Sequence, residues 1–75
     1  MSETELDHLI KMINQVADNI AIGEGEVATA PKVATHLNRF WARSMREKII
    51  EYADSDGAQL NVVATLAVSL LQPKR

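Results

Sequence analysis

The chain has no cysteine. That removes disulfide bridges, thiolate zinc sites and cysteine nucleophiles together, and it fits a reducing, cytoplasmic setting. Histidine is almost as scarce. His8 and His36 fall on separate helical stretches, and no His-x-x-x-His or Glu-x-x-His spacing supplies metal ligands. Among only three glycines, Gly23 and Gly25 alternate with Glu24 and Glu26, whose charges would repel phosphate, so no phosphate-binding loop is expected. Long hydrophobic runs are missing too. The most apolar segment, Leu60 to Leu71, is too short and too often interrupted by polar residues to span a bilayer. The acidic start, Met1-Ser2-Glu3-Thr4-Glu5, is the reverse of a secretory leader, which begins basic and continues apolar. A soluble, cytoplasmic chain is expected, with no membrane partner.

What is present is helical pattern. Seventy-five residues suit one domain, near the lower limit at which a single core stabilises itself and only about 60–65% of the unfolded surface is buried. Leu6, Leu9, Ile10, Ile13, Val16, Ala17 and Ile20 form one apolar stripe at helical spacing. Ser2 or Thr4 can cap this first helix, with Glu5 three residues after Ser2 in a capping-box pattern. Asp7 and Lys11 stand in the favourable i,i+4 order, Asn14 and Gln15 fall off the stripe, and Gly23 is a natural stop. This predicts a first helix over about residues 4–22.

Pro31 suits the first turn of a second helix, because its missing N–H would be unpaired there anyway. Val33, Ala34, Leu37 and then Phe40 or Trp41 supply its stripe, over about residues 30–41. A break or sharp bend is expected just after Trp41, with Ser44 able to cap a third helix over about residues 43–54 that carries Met45, Ile49, Ile50 and Ala53.

Asp54-Ser55-Asp56-Gly57 reads as a turn. It has the look of a calcium-loop opening, but its glycine is misplaced and Thr65 stands where a bidentate Glu is required. Asn61 can cap a last helix, about 61–71, which Pro73 stops. No charge occurs between Gly57 and Gln72, and apolar residues cover most faces of this helix. Either it sits centrally among the others, or part of it is reserved for another chain. The fold class expected is all-α, a small bundle of three to four helices.

Catalysis needs convergent titratable groups, and the sequence offers none. Glu47 and Glu51 share a helical face without a His beside them and read as a solvated face. Ser44, Ser55 and Ser69 lack a base. No catalytic residue, cofactor or metal is expected. A net charge of −2 argues against nucleic acid, yet Arg39, Arg43, Arg46 and Lys48 crowd ten residues that contain one acid, Glu47. If the second and third helices were collinear, Arg39, Arg43 and Arg46 would share one face able to grip carboxylates. Trp41 has two readings. A lone Trp in so small a domain is more often a core anchor, but Trp beside Arg is also the composition of binding hot spots. His36 reads as a hydrogen-bonded packing residue at the edge of the same surface. The candidate partner-binding residues are therefore His36, Arg39, Trp41, Arg43 and Arg46.

The segments Leu9-Ile10-Lys11-Met12-Ile13-Asn14-Gln15-Val16-Ala17 and His36-Leu37-Asn38-Arg39-Phe40-Trp41, followed by Met45-Arg46, resemble the delta subunit of NAD-dependent formate dehydrogenase. The resemblance spans roughly residues 6 to 71, in the family's order. The chain departs from the family pattern in two places. Ala42-Arg43 and Asn61-Val62 stand where Asp-Pro is common. The resemblance implies an accessory subunit of a molybdenum-containing complex whose large subunits hold the molybdopterin, iron–sulfur, flavin and NAD sites. It implies no cofactor on the delta subunit itself, and a role in assembly, stability or maturation. Other readings stay open on the residues alone: a free-standing helical regulator, a homodimer formed through the last helix, or a helix-turn-helix DNA reader, which the charge disfavours.

Overall fold

A computed structural model describes residues 4–71 except 22 and 24. The described residues form four helices and no strand: α1 (Glu5–Ile20), α2 (Glu26–Phe40), α3 (Arg43–Ser55) and α4 (Val62–Leu71). This is the all-α bundle that the sequence predicts.

α1 begins at Thr4, whose hydroxyl accepts from the Asp7 N–H while the Asp7 carboxylate accepts from the Thr4 N–H. The capping box is thus Thr4–Asp7. The alternative involving Ser2 lies outside the described residues, as do the expected helical end at Ile22 and the stop at Pro73. Leu9, Ile10, Ile13 and Ala17 are buried, so the stripe that defines the helix is the stripe that faces the core.

α2 corrects one expectation. It starts at Glu26, not near residue 30, so Pro31 lies inside the helix rather than in its first turn. Tertiary burial explains the early start: Thr29 and Ala30 are almost fully enclosed, and the Thr29 hydroxyl bonds back to the Gly25 carbonyl at 2.8 Å. Pro31 has no N–H, so the carbonyl of Val27, one turn earlier, receives no helical hydrogen bond from it.

α3 carries Ile49 and Tyr52 into the core. It runs to Ser55, so half of the expected turn is helical, and its N-cap is Ala42, not Ser44. Gly57 closes the helix in the left-handed conformation (φ 67°), where a Cβ would come within 3.2 Å of the Ala53 carbonyl oxygen. The Tyr52 hydroxyl then accepts from the Gln59 N–H at 3.0 Å and holds the following loop.

α4 packs chiefly along α2 and also touches α1 and α3. Small buried residues, Ala30 and Ala34 on α2 with Ala64 and Ala67 on α4, suit a close helix approach. Val63 and Val68 are buried while Val62 and Leu70 remain more than half exposed. α4 is therefore central, as the first explanation of its uncharged sequence expects, and it also keeps an apolar edge outside.

Asn14 joins α1 to the start of α4. Its amide donates to the Gln59 carbonyl at 2.8 Å and its side-chain oxygen accepts from the Asn61 N–H at 2.9 Å. Asn61 in turn accepts from the Ala64 N–H at 2.8 Å, capping α4.

Two substitutions test this account by urea denaturation. Asn14→Ala leaves the Gln59 carbonyl and the Asn61 N–H without their partner, and a loss of about 1–3 kcal/mol is expected. A loss no larger than that of Gln15→Ala would show the clamp to be idle. Pro31→Ala restores a donor to the Val27 carbonyl, and a gain of about 1–2 kcal/mol is expected after the loss of proline's stiffening of the unfolded chain. A destabilised variant would mean that packing of the proline ring outweighs the missing bond.

Candidate interaction surface

The corner between α2 and α3 decides where the five candidate residues go. Trp41 leaves the helix with an extended backbone (φ −93°, ψ 141°), and Ala42 continues it (φ −66°, ψ 155°). Two extended residues end the collinearity on which a single arginine face depended. The reason is the indole: Trp41 is only 6% exposed and belongs to the same buried cluster as Leu37 and Ile49. In this structure Trp41 is a core anchor, with its indole buried rather than presented to solvent.

The arginines consequently divide. Arg46 is half-buried, and its guanidinium donates to the Trp41 carbonyl, bracing the corner from the first turns of α3. Arg43 stands outside and pairs with Glu47 one turn along at 3.0 Å, with side-chain exposures of 85% and 62%. An exposed pair of this kind contributes only about 0.3–0.5 kcal/mol, so Arg43 is free to exchange Glu47 for another carboxylate. Arg43 and Arg46 line one cleft of about 390 Å³ with Asn38, Glu47, Ile50 and Leu71.

Arg39 is elsewhere. Its guanidinium carbon lies 5.8 Å from the centre of the Phe40 ring, a cation–π distance. The His36 ring sits on Phe40 too, with centroids 4.8 Å apart. His36, Arg39 and Phe40 make a knob at the end of α2, with Phe40 68% exposed. Phe40, not Trp41, is therefore the outward aromatic. Spacing alone did not separate the two, since Phe40 at i+3 and Trp41 at i+4 both fall on the face of buried Leu37.

Elsewhere, Lys48 reaches Glu5 on α1 at 2.8 Å, and Glu51 lines a small cleft with Leu6 and Tyr52. Among the described residues, no three of His, Asp and Glu gather where a metal could be held. No helix among them is long and apolar enough to cross a membrane.

These features describe a small helical module with three surface features: a cleft holding Arg43, Arg46 and Glu47, an aromatic–cation knob and an apolar helix edge. A family model described as the NADH-dependent formate dehydrogenase delta subunit, FdsD, matches residues 8–68. The chain belongs to this delta-subunit family. No curated protein and no solved structure gives a significant match. Membership implies association with the other subunits of a formate dehydrogenase complex.

The corner yields a stability test. Arg46→Ala removes the donor to the Trp41 carbonyl, with an expected loss of about 1–2 kcal/mol in thermal or urea unfolding. Arg43→Ala, outside the corner, should stay within about 0.5 kcal/mol of the parent. Equal effects would overturn the assignment of separate roles.

Proposed function

We propose that the chain is a non-catalytic accessory subunit of a cytoplasmic NAD-dependent formate dehydrogenase complex, binding the large subunits and assisting their assembly or stability. The observation that carries this reading is the family match over residues 8–68. The surface chemistry supports it. Arg43 and Arg46 present cations in one cleft, where carboxylates of a partner can be gripped in bidentate fashion. At the end of α2 Phe40, flanked by Arg39 and His36, offers a separate exposed aromatic of the kind that interface centres favour. Trp41 contributes from inside, by setting the angle at which α3 displays its arginines.

The chain brings no redox group of its own under this reading. Its contribution is to hold apart or hold together surfaces of larger subunits. An accessory subunit changes how much complex assembles, not how fast an assembled complex turns over.

The test is purification of the tagged chain from its native cells, with the bound proteins identified by mass spectrometry. Near-stoichiometric recovery of a large molybdenum- and iron–sulfur-containing dehydrogenase subunit is expected. Cells lacking the chain should yield less assembled complex, with formate oxidation per assembled complex unchanged. Arg43→Glu is expected to lower co-purification about tenfold or more, because it places a like charge beside the partner's acids. Undiminished co-purification of that variant would remove the arginine cleft from the interface. Recovery of nucleic acid or of the chain alone would replace the accessory reading with a regulator or a homodimer.

A further inference from the structure

Between α4 and the start of α2 runs a groove of about 200 Å³, lined by Val27, Ala30, Pro31, Leu66, Ser69 and Leu70. We infer that this groove receives one large apolar side chain from another subunit, and that acidic residues flanking that side chain on the partner reach the Arg43–Arg46 cleft. The inference rests on the accessory-subunit reading and deepens it by naming the surface and the chemistry of its occupant.

Four observations lead to that occupant. The groove holds no charged residue, and its hydroxyl is already used, because Ser69 donates to the Leu66 carbonyl at 2.7 Å. Nothing in the lining asks for a polar guest. Its size fits one side chain: a cavity of about 150 Å³ walled by aliphatic residues accepts a benzene ring, so 200 Å³ accommodates a Leu, Met or Phe.

The second observation is Pro31. A proline inside a helix costs a hydrogen bond and leaves the Val27 carbonyl without its usual donor. A local rule broken in a helix interior marks a place where something other than backbone propensity sets the residue. Pro31 forms the wall of this groove.

Area supplies the third. Val27 is 80% exposed and Leu70 55%, and Val62 continues their side of α4 at 54%. Together these make an apolar patch on the order of 300 Å², whereas a standard interface takes about 800 Å² from each partner. The patch cannot hold a second copy by itself. It suits the apolar centre of an interface completed by neighbouring polar surface.

Position and charge supply the fourth. Leu70 lines the groove and its neighbour Leu71 lines the arginine cleft, so the two hollows flank the end of α4 and one partner can cover both. A partner with carboxylates around an apolar anchor is complementary at both hollows.

Site-specific photo-crosslinking tests this in the native complex. A benzophenone amino acid is placed at Val27, at Leu70 and, as a control on α1, at the exposed Gln15. Crosslinks from positions 27 and 70, but not 15, to one large subunit are expected. Val27→Glu and Leu70→Gln are then expected to lower co-purification about tenfold or more with the melting temperature nearly unchanged, since both side chains lie mainly in solvent. Crosslinks to a second copy of the chain would overturn the inference in favour of a homodimer. Co-purification with no crosslink from 27 or 70 and no effect of either variant would overturn the groove alone, leaving the accessory reading intact. Failure of the parent chain to co-purify would overturn both.

Discussion

Trp41 entering the core is the constraint on which the rest of this bundle depends. For the indole to be 6% exposed, the chain must leave its helix at that residue and turn. The turn needs two extended residues, and the carbonyl it frees is taken by Arg46. Once the corner exists, α3 can lay Ile49 and Tyr52 against α1 and α4. The same corner separates Arg39 from Arg43 and Arg46 and throws Phe40 outward. Core packing and surface chemistry are thus two consequences of one buried ring.

α4 shows how a chain this small serves two demands with few residues. Its buried side, with Ala64 and Ala67 fully enclosed, holds the bundle together through close contact with α2. Its other side stays apolar at Val62 and Leu70 without any charge to advertise it. A larger domain could assign folding and recognition to different helices. Here one uncharged helix carries both the close packing against α2 and an exposed apolar edge, and its start is held by Asn61 and the Asn14 clamp.

Three separate surface features suit a delta subunit that associates with the other subunits of a larger enzyme. Binding energy at such surfaces concentrates in a few anchors, with charges at the rim steering approach and register. The apolar edge of α4, the exposed Phe40 and the arginine cleft have those respective characters.

Much of the fold was legible in the order of residues. The stripe from Leu9 to Ala17, the uncharged last helix, its Asn61 cap and the stop to helicity beside Trp41 are local patterns, each readable along one stretch of chain. The delta-subunit resemblance was legible for the same reason, since it rests on short runs such as His36 to Trp41. What only tertiary structure decided is how neighbours on different elements divide the available burial. α2 reaches back to Glu26 despite Pro31 because Thr29 and Ala30 find cover across the bundle. Trp41 goes inward and Phe40 outward because the helix ends at Phe40 and the extended backbone of Trp41 carries its indole into the core cluster. Asn14, polar and off the stripe, becomes a clamp only because Gln59 and Asn61 arrive from residues far along the chain. Periodicity determines which side of a helix is apolar, but the angle between two helices, and so which side chains meet, is set by what packs across the gap.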